Sequence, residues 1–384
     1  MPSQGSYRDA LLRVIDEVVA PGAASVDASG EFPRAQVDAL GSAGMLGLTV
    51  PEEFGGGGAG LRQAADVIRE LGSVCGSTAM IVTMHYAAVA ALAAAGDKET
   101  LTAAASGRHL STLAFSETGS RSHFWAPLSS ARLLDDGRSV RLDAAKSWVT
   151  AAGHADSYVW SSQPLDSGTA PGPMTLWLVP ANAAGLSVSG AFDGLGLRGN
   201  ASAPMTADGM TVPRSTMLGT DGAGLDLALA AVLPVFLVCS AAMSAGLLRR
   251  LATETADRLQ RTRLEHLGVS LAQQAQPRAQ LARLRIEADR TWALIAETLN
   301  AVESGREDAL LLVLEVKAVA GEAAADAADL ALKAGGGAAF RKESVVERLF
   351  RDSRAARVMA PATDALHDFI GRALLGLPLL GEVS

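Results

Sequence analysis

The chain has 384 residues, 49% hydrophobic and 19% charged, with a formal net charge of −8. That length suits two or three structural units with sizeable cores, and the apolar fraction excludes a disordered chain. An acidic balance argues against nucleic acid as a partner, and the two cysteines, Cys75 and Cys239, exclude a disulfide framework and a thiolate zinc site.

Met1–Glu17 carries Arg8, Asp9, Arg13, Asp16 and Glu17 and lacks the apolar core of a signal peptide. Gly55–Gly58 has neither the Lys-Ser/Thr nor the preceding strand of a phosphate-binding loop, and reads as a flexible turn. Ala64–Leu71 places Val67, Ile68 and Leu71 at helical spacing, and Thr78–Ala95 is long and apolar enough for a buried helix. Residues 1–110 are therefore expected to form an N-terminal helical domain. From 111 to 220 the pattern changes to short runs, Ser139–Leu142, Ser157–Ser161, Met174–Val179 and Leu186–Val188, bounded by Gly, Pro, Asp and Asn; these are strand and turn signals. Residues 221–384 return to helix: Leu225–Ala256, Pro277–Ser304, Ala309–Ala334 and Glu343–Ala356, with Gly335–Gly337 breaking the last two. Leu225–Leu248 is the most apolar stretch, but Asp226, Pro234, Ser240 and Ser244 interrupt it, so it reads as a buried helix rather than a membrane span. A cytoplasmic protein that binds no membrane is the expectation.

The six histidines are dispersed, with no metal-ligand spacing. There is no G-x-S-x-G elbow and no G-x-G-x-x-G after a strand. Chemistry has to be sought elsewhere: in Phe115-Ser116-Glu117-Thr118-Gly119, in Lys146-Ser147-Trp148-Val149-Thr150, in Gly336-Gly337 and in Glu347-Arg348-Leu349-Phe350-Arg351-Asp352. Taken with Phe32-Pro33, Val50-Pro51-Glu52-Glu53-Phe54-Gly55-Gly56, Leu195-Gly196-Leu197-Arg198-Gly199 and Val212-Pro213, in this order, the chain resembles the acyl-CoA dehydrogenase superfamily over nearly its whole length.

The resemblance implies a mainly α fold with a middle β domain: N-terminal helical domain, β-barrel and C-terminal four-helix bundle. It implies FAD as cofactor, an acyl thioester on CoA or a carrier protein as substrate, and self-association as a dimer or tetramer. It assigns Phe115, Ser116, Trp148, Thr150, Gly336 and Gly337 to the flavin, with Thr150 meeting its N5, and Ser122 and Met359 to the substrate. Arg121 and Arg198 are candidates for a phosphate, and Tyr86, Met84 and Phe236 for the depth of the acyl pocket.

The departures bear on mechanism. The family's usual base is a glutamate about eight residues beyond the Arg-Asp pair, and counting from Arg351-Asp352 lands on Ala360. A methyl group accepts no proton, and general-base catalysis is typically worth roughly 10²–10⁴ in rate. Asp364 and His367, one and two turns further on, are the substitute candidates, though Asp364 equally suits a helix start. Phe369-Ile370-Gly371-Arg372-Ala373-Leu374-Leu375-Gly376 resembles the ending of a branch that includes flavin-dependent monooxygenases, which need no such base. Three readings follow: a dehydrogenase with a displaced base, a monooxygenase, and a flavoprotein that has lost catalysis.

Overall fold

The computed structural model describes residues 4–120, 123–165 and 173–380. The first helices are α1 (Gln4–Val14) and α2 (Ala20–Ser29), joined by a π-helical turn at Ile15–Val19, then α3 (Arg34–Ser42), α4 (Leu61–Gly72), α5 (Gly76–Ala95) and α6 (Lys98–Ala105). In α4 the buried face carries Ala64, Val67, Ile68 and Leu71 at helical spacing. Helix α5 is buried almost all round, which is why it has no polar stripe. Gly55–Gly58 is tied down rather than flexible. The N–H groups of Gly57 and Ala59 each donate, at 3.0 Å, to the carbonyls of Gly47 and Leu48.

Eight strands follow: β1 (Ser111–Ala114), β2 (Ser130–Leu133), β3 (Ser139–Val149), β4 (Ser157–Ser162), β5 (Thr175–Pro180), β6 (Leu186–Val188), β7 (Ala203–Pro213) and β8 (Met217–Leu218). They form two four-stranded sheets, ordered β1-β4-β5-β8 and β2-β3-β7-β6. Only the β1–β4 pairing is parallel among them. The expected barrel is thus built from two sheets, bridged at Glu117–Lys146 and Ala131–Leu165. Pro204 and Asp208-Gly209 obscure β7 in the sequence. Its alternation is nonetheless that of a one-sided strand, burying Ala203, Met205, Ala207, Met210 and Val212.

The second helical part comprises α7 (Gly224–Leu227), a π turn at Ala228–Val232, α8 (Leu233–Arg261), a hairpin of β9 (Arg263–Leu264) and β10 (Val269–Ser270), then α9 (Ala275–Ser304), α10 (Ala309–Ala339), α11 (Val345–Ser353), α12 (Ala355–Val358) and α13 (Thr363–Leu374). Helix α8 is the hub, packed against α4, α5, α9 and α10. Its buried run Ser240–Gly246 is made of small residues apart from Met243, so that backbones approach closely. A Cβ on Gly246 would lie 2.1 Å from the Arg69 carbonyl oxygen of α4. Helices α5 and α7–α8 are both long and apolar enough to cross a membrane, and both are mostly buried inside the protein. The break foreseen at Gly335–Gly337 is a kink within α10. Gly336 alone leaves helical geometry there, at φ 59° and ψ −158°, a region essentially reserved for glycine.

The Arg351-Asp352 pair latches the parts together. Arg351 bonds Asp27 of α2 at 2.6 Å and Glu347 at 2.7 Å. Asp352 accepts from the Leu197 N–H at 2.7 Å, and burial raises its carboxyl to about 6.

Candidate active site

A cleft, partly open to solvent, lies between the β domain and the second helical part. One wall comes from the ends of β1 and β3. Beyond Ala114 the chain continues beside β3: the Ser147 N–H donates to the Ser116 carbonyl at 2.9 Å and the Thr118 N–H to the Ala145 carbonyl at 3.0 Å. This sets Phe115 and Ser116 in the wall next to Trp148. Trp148 stands where the β3–β7 register slips, at φ 57°, and its ring is 68% exposed. A bulky residue in left-handed backbone is a genuine outlier that the surroundings must hold in place.

The opposite wall is helical. Met84 comes from α5, and Ala228, Val232, Leu233 and Phe236 come from the π turn and the start of α8. Pro234 follows the π turn directly; having no N–H, it cannot close an ordinary helical hydrogen bond there. Ala360 and Pro361, between α12 and α13, complete the enclosure. Among the described residues the wall holds no Asp, Glu, His, Lys, Arg, Cys or Tyr.

Two buried lysines stand behind these walls. Lys146 pairs with Glu117, and its ammonium also donates to the Ser161 carbonyl at 2.7 Å and the Ser161 hydroxyl at 2.8 Å. Glu117 in turn accepts from the N–H groups of Leu128 and Ser129 and from the Ser129 hydroxyl. Burial lowers the Lys146 ammonium to about 8, and Glu117 opposes the shift. Behind the other wall, Lys317 of α10 donates to the carbonyls of Ala356, Met359 and Pro361.

The cleft therefore gathers Phe115, Ser116, Trp148 and Ala360 among the residues singled out in the sequence, with Met84 and Phe236. It corrects others. Thr150 is buried, shares a hydrogen bond with the Ser202 hydroxyl at 3.1 Å and stands outside the wall. Tyr86 is buried too, donating to the Met45 carbonyl at 2.8 Å. Met359 points its carbonyl at Lys317, and it is Ala360 and Pro361 that face the cleft. Asp364 and His367 are exposed on α13 and outside the wall, because the buried face of that helix is taken by Leu366 and Phe369; Asp364 makes no cap bond. Gly336 and Gly337 lie at the α10 kink, away from the cleft. Arg198 is engaged with the Asp27 carbonyl at 2.9 Å. Ser122 and Arg121 lie outside the described residues. Sequence reasoning missed Lys317, a buried lysine in an alanine-rich helix, and the wall residues Leu113, Phe124, Val232 and Leu233.

The residues fit a planar heteroaromatic cofactor. Two aromatic residues, Phe115 and Trp148, line the cleft with one hydroxyl, Ser116, and Trp148, on strained backbone, has Phe192 edge-on at 6.4 Å and is otherwise largely exposed. Such an edge-polar, face-apolar setting is what an isoalloxazine requires.

Comparison with known proteins agrees with this geometry. Family models described as acyl-CoA dehydrogenase N-terminal, middle and C-terminal domains match residues 1–103, 112–210 and 222–375. The chain is 25% identical to the probable acyl-CoA dehydrogenase YngJ of Bacillus subtilis (strain 168), over 97% of this chain and 98% of that protein. Its fold is similar to butyryl-CoA dehydrogenase from Megasphaera elsdenii, with a TM-score of 0.90 at 19% identity, covering 98% of this chain and 99% of the other. It is also similar to FkbI, a protein for biosynthesis of the methoxymalonyl extender unit of the Fk520 polyketide. The TM-score there is 0.84 at 26% identity, covering 96% of this chain and 100% of the other.

Proposed function

Because the chain belongs to the acyl-CoA dehydrogenase family of flavin-dependent oxidoreductases, we propose that it oxygenates a short acyl thioester, by chemistry that draws no α-proton onto a side chain of the cleft. The observation that carries this reading is the wall itself: Ala360, the residue reached by counting from Arg351-Asp352 to the family's base, lines it, and no titratable group lines it among the described residues. FAD, when bound and reduced by an external two-electron donor such as a reduced nicotinamide, supplies the reductant for dioxygen, one oxygen atom passing to the acyl group and the other leaving as water. Phe115 and Trp148 offer their faces to its ring, and Ser116 offers a hydroxyl to a polar edge. Met84, Phe124, Val232, Leu233 and Phe236 enclose the acyl group and exclude water, which an oxygenating site needs so that reactive species are not lost to hydrolysis.

Likeness to FkbI, whose extender unit bears an oxygen substituent, supports a short acyl group on a carrier or CoA as substrate. Self-association belongs to the same reading, supported by Phe340, Leu374 and Leu375, which remain 76%, 67% and 75% exposed. The test is turnover of the flavin-loaded protein, supplied with a reduced nicotinamide and a flavin reductase, with short acyl thioesters under isotopically labelled dioxygen. Label in the acyl product supports the proposal, and an unlabelled product contradicts it. The second reading is α,β-dehydrogenation of the same substrate class, favoured by full-length similarity to a probable acyl-CoA dehydrogenase. It requires a proton acceptor reaching the cleft from outside its wall.

A further inference from the structure

Helix α10 runs as a rail along residues 354–361. At its outer part, Asp329 bonds Arg354 at 2.8 Å, and Glu322 and Asp326 bond Arg357 at 2.6 and 2.8 Å. Glu322, Asp326 and Asp329 are 43%, 75% and 59% exposed, and ion pairs of that kind hold a segment only weakly. At Gly321 the two backbones close, since a Cβ there would lie 3.4 Å from the Ala356 Cβ. At the inner end stands Lys317, 2% exposed. Its Nζ lies 3.2, 3.1 and 2.8 Å from the carbonyl oxygens of Ala356, Met359 and Pro361.

An ammonium has three N–H donors, and here three carbonyls receive them. Two of those carbonyls flank Ala360. The Ala356 carbonyl lies within the short helix α12 and the Pro361 carbonyl just before α13, in a turn where backbone groups lack helical partners. No carboxylate bonds to Lys317 among the described residues, so burial acts on it unopposed and lowers it to about 7. A buried cation without a counter-ion is costly. Here it replaces the hydrogen bonds that this turn cannot make for itself.

We propose that Lys317 is a positioning residue of the cleft: its ammonium fixes the Ala356–Pro361 turn so that Ala360 and Pro361 face the bound acyl group. The proposal rests on the reading of the cleft as the acyl site. Its test uses the full-length, flavin-loaded protein and three variants: Lys317→Met, Lys317→Gln, which retains two donors, and Asp329→Ala on the exposed part of the same rail, which removes the partner of Arg354. Two readouts are taken: amide hydrogen exchange of the segment 355–366, and perturbation of the flavin absorption band by a titrated short acyl-CoA.

Lys317→Met is expected to speed exchange in that segment by at least about tenfold, as loss of charge-assisted hydrogen bonds implies, while β3 and α4 stay protected. It is also expected to weaken acyl-CoA binding about tenfold with flavin still bound. Lys317→Gln should fall between, and it carries the test should Lys317→Met not fold. Asp329→Ala should match wild type in both readouts. Unchanged exchange at 355–366 in both Lys317 variants overturns the proposal, as does loosened exchange with unaltered acyl-CoA affinity. If no acyl thioester perturbs the wild-type flavin band, the reading of the cleft fails, and exchange alone then decides whether Lys317 holds the turn.

Discussion

Lys146 and Glu117 form an ion pair from which water is shut out, with side chains 0% and 2% exposed. The pair joins the stretch that carries Ser116 to the strand that carries Trp148. Removing one partner leaves an uncompensated buried charge, which costs roughly 3–5 kcal/mol. Lys146→Met and Glu117→Gln should each lower the free energy of urea unfolding by about that amount, and the double variant by less than the sum. A single variant within about 1 kcal/mol of wild type would show that the pair does not hold the wall.

Trp148 is expected to behave in the opposite way. Its ring is 68% exposed and its φ is 57°, so the flavin-free protein gains little from it. Trp148→Gly relieves backbone strain worth about 1–3 kcal/mol, less the entropy that glycine costs. Unfolding of the flavin-free variant should be no easier than wild type, while its flavin affinity, read by fluorescence titration, falls. Loss of stability without loss of affinity would place the ring in the core instead.

The glycine pair separates conformation from contact. Gly336 has φ 59° and ψ −158°, and a Cβ at either Gly336 or Gly337 meets nothing within 4 Å. Gly336→Ala should therefore destabilise by about 1–3 kcal/mol through backbone strain alone. Gly337→Ala should be neutral or stabilising by up to about 1 kcal/mol. If Gly337→Ala nonetheless weakens flavin binding, the glycine pair approaches the cofactor, as the resemblance implies.

His85 makes folding sensitive to acid. Its Nε2 is 2.9 Å from the Leu46 carbonyl, and its Nδ1 accepts from the Ser111 N–H at 3.1 Å, so the neutral ring serves both bonds. Burial lowers it from 6.5 to about 4. A depressed value means that the contribution is complete above about pH 6.5 and is lost as pH falls toward 4. The loss is on the order of 3 kcal/mol. Asp352, raised from 3.8 to about 6, works in reverse: its contribution is present below 3.8 and lost as pH rises through 6. The difference between wild type and His85→Gln in urea unfolding should thus shrink from pH 7 to pH 4, and a constant difference would contradict the assignment.

The sequence disclosed the order of the three parts, because each helical and strand pattern there agrees with its final packing. It disclosed Ala360 as well: counting from Arg351-Asp352 leads through the ends of α11 and α12 into the non-helical turn at 359–362, where Ala360 lines the cleft. Lys317 could not be read: nothing in an Ala- and Val-rich helix says which carbonyls a lysine will meet forty residues later. Thr150 is a related case. The hydroxyl beside a strained bulge can turn to cofactor or core, and here Ser202 on the neighbouring stretch is its partner. The pairing of Lys146 with Glu117 depended on the bridge between two strands, a register that short strands do not declare.

The absence of a base in the cleft is tested most directly by anaerobic mixing of the flavin-loaded protein with short acyl-CoAs, comparing wild type with Ala360→Glu. With wild type the oxidised flavin band should persist, because the wall offers no proton acceptor. With Ala360→Glu it should bleach, as a carboxylate placed there restores general-base catalysis of roughly 10²-fold or more. Bleaching by wild type under the same conditions would contradict the account and make the protein a dehydrogenase.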